Sequence, residues 1–357
     1  MNTKYKSYKC RMLCIGMVLL LCLACGTTAP SEVIRITPEP IYTPAPTAVD
    51  LYAYYDWADT VTIRVYDHRA DRLITMNLEE YVLGVASGEM PAYYEMEALK
   101  AQAVATRTYT LYRAAHGGCH TYEGADVCTN SSCCQAFSTK ARMQERWGDA
   151  FAANYNRLAA AVMETAGEVL TYNGKLCDAL YHACSGGRTE NSENVYANAL
   201  PYLRGVDSPY EDPMREGDVE FGVDELIALV TAKYPDCGVT AENYREAIAA
   251  VSTYESGRVR EFRLGNTTLT GKEANRLFSL KTAMFTVTAS EDGIVFHTKG
   301  YGHGVGLSQN GANGMAKHGS DYKEILLHYY TGVELGAYAA ETPAPEAQGK
   351  LPLLPEG

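Results

Sequence analysis

Residues 77–115 read NLEEYVLGVASGEMPAYYEMEALKAQAVATRTYTLYRAA. Asn77 is an N-cap residue type, and Leu78, Tyr81, Val82, Val85 and Ala86 then recur at helical spacing until Pro91 stops the run. A second helix is expected over Glu95–Ala115. Its alanines, with Leu99, Val104, Tyr109 and Leu111, let neighbouring elements approach closely and place it at the centre of the fold. One residue breaks the first helix's pattern. The stripe through Leu78, Val82 and Val85 continues onto Glu89, just before Met90-Pro91. A carboxylate on a core-facing stripe must be paired, or desolvated with a raised pKa. A raised carboxyl pKa is what a general acid needs near neutral pH. Pairing with a base such as Arg107 is the plainer reading of the pattern alone. Asn77, Glu79 and Glu80 read as capping or surface residues, and no second carboxylate has a comparable claim. One isolated carboxyl argues against a two-carboxylate glycosidase and leaves room for one group acting as both acid and base.

Upstream, residues 60–76 alternate apolar and polar around a turn near Asp67–Asp71, a hairpin signature. Downstream, a third helix is expected over 145–166, strands over 168–172 and 176–184, and an acidic, mostly helical segment over 210–250. Strands follow over 257–264 and 283–298, with a last helix near Tyr322–Tyr330. Helices and strands cluster without strict βαβ alternation, so the expected class is α+β, with mixed helices and antiparallel strands forming a substrate cleft.

The chain has 357 residues, 46% apolar and 21% charged, a globular composition with material for a sizeable core. Its net charge of −12 makes it a poor polyanion binder and excludes nucleic acid as the main partner. Tyrosine, at 27 against Phe 7 and Trp 2, suits wet, amphipathic surfaces and is compatible with carbohydrate contact, although most are expected to be ordinary half-buried filler.

A basic start and the apolar run Met12–Cys25 form an export signal, too short to be an ordinary membrane span. Leu23-Ala24-Cys25-Gly26 resembles the end of a bacterial lipobox, with Cys22 where Leu, Val or Ile is usual. Residues 1–25 are therefore expected to be a lipoprotein signal or an uncleaved anchor. Both tether the protein to the outer face of the cytoplasmic membrane. Residues 26–50 are a Pro-rich linker, 51–338 the folded domain and 339–357 a Pro-rich tail.

Three further segments carry chemistry. HGGCHTYEGADVCTNSSCCQAF holds His116, Cys119, His120, Cys128, Cys133 and Cys134. Its spacing leaves both one tetrahedral zinc site and disulfides open in an exported protein. YHACSGGRTE (Tyr181–Glu190) and GYGHGVGLSQNGANGMAKHG (Gly300–Gly319) are glycine-rich loops that expose backbone N–H donors, with Ser185, His303, Ser308 and Gln309 among the glycines. The second lacks the spacing of a dinucleotide fingerprint.

Three stretches, Glu79–Leu111, Tyr181–Pro209 and Gly300–Leu335, together resemble the SpoIID/LytB family of bacterial cell-wall proteins. With SGRVREFRL…GKEANRLF between them, the resemblance spans the folded part. It implies a peptidoglycan lytic transglycosylase working outside the membrane, during engulfment in spore-formers, on glycan strands already stripped of stem peptides by a partner amidase. The family's catalytic glutamate lies in an "EMP" motif, here Glu89. Lys100, Gln102, Tyr181, Ser185, His303, Ser308 and Gln309 match its motifs and are expected in the substrate cleft. The family's zinc segment precedes a "CQ" pair, here Cys134-Gln135. It implies His120, Cys128, Cys133 and Cys134 as ligands of a structural zinc ion, with Cys119 the rival to His120. Ala183-Cys184 departs from the more usual Ser-Thr. LytB-type members are described as modifiers of autolysins, so the alternative is a non-catalytic activator of a cell-wall amidase. A third reading is a passive glycan-binding module.

Overall fold

The computed structural model describes residues 61–338 apart from 213. The expected leader (1–25), linker (26–50) and tail (339–357) lie outside the described residues, as do 51–60. Among the described residues no helix is long and apolar enough to cross a membrane.

Strands β1 (Thr62–Asp67) and β2 (Arg72–Asn77) form the expected antiparallel hairpin. The Asn77 side chain accepts from the Glu79 amide and caps α1 (Leu78–Glu89). Met90, extended before Pro91, ends that helix. Helix α2 (Met96–Ala115) is the central element, touching α1 and several elements introduced below. Ala98, Leu99, Ala101, Ala103, Val104 and Ala105 are fully buried, and so are the polar Gln102, Thr106 and Arg107, because other elements pack around most of this helix. The short β3 (Val127–Cys128) lies parallel to β1. The expected helix over 145–166 is two helices, α3 (Lys140–Trp147) and α4 (Phe151–Glu164), separated at Gly148. Strand β4 (Glu168–Tyr172) forms as expected, whereas the stretch 176–184 yields only β5 (Lys175–Leu176) and β6 (Tyr181–His182).

The segment 210–250 corrects the sequence reading. It contains β7 (Glu216–Gly222), α5 (Val223–Lys233), α6 (Tyr244–Ala247) and the start of β8 (Ile248–Thr253). Acidic residues at Glu216, Asp218 and Glu220 mask the alternation of Val219 and Phe221, which pack on a core. Strands β9 (Val259–Leu264) and β10 (Thr267–Thr270), helix α7 (Gly271–Leu277), and the hairpin β11 (Phe285–Ala289) and β12 (Gly293–Lys299) follow. The chain closes with β13 (Leu307–Ser308), α8 (Gln309–Lys317), α9 (Tyr322–Tyr329) and β14 (Glu334–Ala337).

The sheets run β2-β1-β3, β10-β9-β8, β11-β12-β7, β14-β4-β5 and β13-β6. Most pairings are antiparallel; β1–β3 and β6–β13 are parallel. The class is α+β. Among the described residues two large apolar cores result, beside a small cluster of Cys119, Ala125 and Cys128. One is built around α1, α2, α4, α8 and α9; the other lies within residues 219–296. The second belongs to an insertion whose ends meet: Glu216 pairs with Lys299, and the Gly300 amide donates to the Met214 carbonyl at 3.1 Å.

A buried ion pair pins the helical core. Arg107 donates through Nε and Nη2 to the two Glu79 carboxylate oxygens, both at 2.6 Å, and through Nη1 to the Glu168 carbonyl at 3.0 Å. Their side chains are 0% and 5% exposed, so removing either charge strands the other in an apolar interior. Arg107 therefore does not partner Glu89, and Glu79 is not the surface residue its first-turn position suggests.

Candidate functional site

Glu89 ends α1 where the helix meets the loop after the cysteine cluster. Its Oε1 accepts the Ala136 amide at 2.6 Å, and its Oε2 accepts Gln309 Nε2 at 3.4 Å. Gly88 makes this approach feasible: a Cβ there would stand 2.7 Å from the Ala136 carbonyl oxygen. Burial raises the Glu89 pKa, and the Ala136 and Gln309 donors offset only part of that rise. The residue remains partly exposed. A proton held on a desolvated yet reachable carboxyl can be delivered to a ligand.

Glu89 borders a cavity of about 710 Å³ that Gln135, Tyr181, His303 and Gln309 also line. The parallel pairing of β6 with β13 sets Tyr181 beside Leu307 and so brings the two glycine-rich loops together. Tyr181 Oη donates to Gln135 Oε1 at 2.7 Å. Gln309 Nε2 also reaches Gln102 Oε1 at 3.2 Å, and Gln102 Nε2 donates to Thr106 at 3.0 Å. Gln102 is thus a buried support behind Gln309. Burial and the nearby Arg258 push the His303 pKa down to about 4, leaving a neutral imidazole. Glu89 also borders a second cavity of about 480 Å³, with Tyr93, Arg146 and Trp147.

Four expected cleft residues lie elsewhere, the buried Gln102 among them. Lys100 pairs with Glu97 and Glu164, both at 2.8 Å, and does not border the cavity. Ser185 and Ser308 are fully buried around Glu211. The Ser185, Gly186 and Gly187 amides donate to that carboxylate at 2.8, 2.7 and 3.0 Å, and the Ser308 hydroxyl donates to it as well. Burial pushes Glu211 up, but the Ser308 hydroxyl and the amides outweigh it and hold its pKa below the usual range. Glu211 ties the first glycine loop to the N-terminus of α8. No helical or strand periodicity singled it out, because it sits in a loop and its role is purely tertiary.

A second carboxylate does border the 710 Å³ cavity, against expectation. Asp178 Oδ1 is buried without a hydrogen-bond partner, and burial pushes its pKa up to about 6 against the pull of Arg113 and His116. It follows Cys177 in a short irregular stretch, where no periodicity flags it.

The cysteine segment converges on one point. The sulfurs of Cys119, Cys128, Cys133 and Cys134 all lie within 4.8 Å of one another. The Sγ–Sγ separations are 3.4 Å (Cys119–Cys133), 3.7 Å (Cys134–Cys119) and 3.8 Å (Cys133–Cys134). Four thiolates at about 2.3 Å around a tetrahedral zinc ion stand roughly 3.8 Å apart, whereas a disulfide needs about 2.05 Å. All seven described cysteines are free thiols. The donor set fits zinc and corrects the ligand list: Cys119, not the exposed His120, joins Cys128, Cys133 and Cys134. Adjacent Cys119 and His120 cannot be told apart by spacing. The chain runs from Cys134 directly into Gln135 and Ala136, so whatever fixes this cluster fixes the groups that hold Glu89.

The arrangement is a carboxyl-centred cavity lined by tyrosines and polar side chains, the class of site that suits hydroxyl-rich ligands. The chain belongs to the SpoIID family. The family model described as Stage II sporulation protein matches residues 66–172, which include Glu89 and the four cysteines. Stage II sporulation protein D of Bacillus subtilis (strain 168) is 31% identical over 281 residues, covering 78% of this chain and 80% of that protein. The Bacillus amyloliquefaciens protein of the same name is 31% identical over 278 residues, covering 77% and 78%. The amidase enhancer of Bacillus subtilis is 27% identical over 304 residues, covering 71% of this chain and 40% of that protein.

Proposed function

We propose that this protein is a peptidoglycan lytic transglycosylase acting in sporulation. It would cleave the MurNAc–GlcNAc β-1,4 bond of peptide-stripped glycan strands with Glu89 as acid and base. The observation that carries the reading is the desolvated, raised Glu89 carboxyl, which borders two cavities that give a glycan access to it. Protonated Glu89 donates to the bridging oxygen as the C1–O bond breaks. The same carboxylate then takes the proton of the MurNAc 6-hydroxyl as that oxygen bonds to C1. A 1,6-anhydro end forms, the proton returns to Glu89, and no water is consumed. Gln309, backed by Gln102, and the Ala136 amide hold the carboxylate in place between the two transfers.

Cys119, Cys128, Cys133 and Cys134 would hold a zinc ion. With four protein ligands it keeps no open position, so its contribution is structural: it fixes the loop that presents Gln135 and Ala136. The apolar run Met12–Cys25 supports export and tethering to the outer face of the cytoplasmic membrane. A cell-wall amidase is the partner that would supply stripped strands.

Digestion of peptide-stripped peptidoglycan by wild type and Glu89→Gln, with products read by mass spectrometry, tests this. Anhydro ends from wild type alone support it. Reducing ends would mean hydrolysis, with Asp178 the second carboxylate to examine. No product from either protein moves the reading to a modifier of an amidase, which the similarity to the amidase enhancer favours. Stimulation of an added amidase by both proteins would then be expected.

A further inference from the structure

A second pocket of about 490 Å³ opens beside the Glu89 cavity and shares Tyr196, Gly302 and His303 with it. In a chain with a net charge of −12, this pocket is lined by five cations: Arg258, Arg260, Lys272, Arg276 and Lys281. Its two acids are already engaged. Glu193 pairs with Arg204 at 2.5 Å, and Glu190 accepts from the Asn191 amide, Asn194 and Ser256 at 2.8, 2.8 and 2.5 Å. Arg258 is 2% exposed; its Nη1 and Nη2 donate to the Arg188 and Ser185 carbonyls, and its Nε is buried with no acceptor. Lys272 donates to the Val195 carbonyl at 2.8 Å and stands over the Tyr196 ring. Arg260, Arg276 and Lys281 are exposed, and none makes an ion pair among the described residues. Burial and, after it, the charge of Arg276 lower the Lys272 pKa.

We infer that this pocket is a carboxylate subsite that binds the lactyl group of a muramic acid further along the strand. It would thereby read whether the stem peptide there has been removed. The inference rests on the glycan-cleaving reading above. A stem peptide is joined to the lactyl group through an amide, which is neutral. Hydrolysis of that amide leaves a carboxylate on the sugar, and a cluster of unpaired cations separates the two states. The basic pocket would make a stripped strand the better substrate without contributing to bond cleavage at Glu89.

The test uses the full chain and three glycans: stripped, stripped with the lactyl carboxylates converted to primary amides, and peptide-bearing. The wild type is expected to show a KM about tenfold higher on the amidated and peptide-bearing strands, with kcat within about twofold, as for loss of a charge-assisted contact. The exposed-residue variant Arg260→Gln/Arg276→Gln/Lys281→Gln should raise KM on stripped glycan by a similar factor and leave KM on amidated glycan unchanged. Equal KM for wild type on stripped and amidated strands overturns the inference, as does a variant that weakens both alike. If the wild type produces no anhydro ends, the catalytic reading falls instead. Equilibrium binding of the same glycans to Glu89→Gln then decides the pocket by itself: preference for the carboxylate form, lost in the triple variant, upholds it, and equal affinity for stripped and amidated strands overturns it.

Discussion

The helical core and the 216–299 insertion bury their interiors by different means. The insertion's apolar core is aromatic: Phe221, Phe262, Phe278, Phe285 and Phe296, five of the chain's seven phenylalanines, touch one another at ring-centroid distances of 4.4–6.2 Å. The helical core is threaded with polar groups. Arg107–Glu79, Gln102–Gln309 and Tyr181–Gln135 lie within or at the edge of its apolar packing. Aromatic packing tolerates small shifts. A hydrogen-bonded network tolerates few, since each orphaned group carries a desolvation cost. The region that must hold a carboxyl in place is the one built from the less forgiving material.

Glu89→Gln should have the largest functional effect, a loss of glycan cleavage on the order of 10²–10⁴-fold. Stability should be unchanged or raised at neutral pH, because burial raises the Glu89 pKa and its ionised form is a liability in the fold. Cleavage by wild type should fall as pH rises through that raised pKa, placing the alkaline limb above the ordinary glutamate value of about 4.3. A limb at or below that value would break the link between desolvation and catalysis.

Arg107→Met and Phe296→Ala set the two cores against each other in urea melts. Each should cost about 3–5 kcal/mol, the first by stranding the Glu79 charge and the second by opening a cavity. They should differ on rescue. Adding Glu79→Leu to Arg107→Met should recover much of the loss, because both charges are then gone. No single polar-to-apolar change near Phe296 should do the same.

The residues explain what the sequence revealed and what it hid. Glu89 was legible because the stripe of α1 leads onto it, and the Asn77 cap and Pro91 bound that helix. Glu79 was not, since a first-turn glutamate looks like an ordinary surface residue and its partner lies 28 positions away. Strand β7 was hidden by its own acids, and the insertion with it. The cluster's location was legible from cysteine density, but choosing Cys119 over His120 depends on which way one side chain points. Glu211 and Asp178 left no periodic trace, because their neighbours are assembled only by the fold.

Removing metal should act on the helical region and spare the insertion. Chelation, or Cys128→Ser, should abolish stoichiometric zinc in metal analysis and lower cleavage at least several-fold. Hydrogen exchange should quicken over residues 119–137, while the amides of β8, β9 and β12 keep their protection. Faster exchange in both regions would make the cysteine cluster a global staple instead of a local anchor for Ala136 and Glu89.

The smallest expected effect falls at the junction. Glu211 receives the amides of the first glycine loop and the Ser308 hydroxyl, just before the insertion begins. Its pKa is lowered in the folded state, so its stabilisation is complete above the unfolded value of about 4.3 and is lost as pH falls through the folded value. Glu211→Gln sets an NH₂ group against amides that also donate and should cost about 1–3 kcal/mol at pH 7. Below the folded pKa the wild-type carboxyl is itself neutral, so the gap between the two proteins should narrow with acid. A constant gap from pH 7 to pH 3 would mean that the shape of the side chain, and not its charge, holds the two glycine loops together.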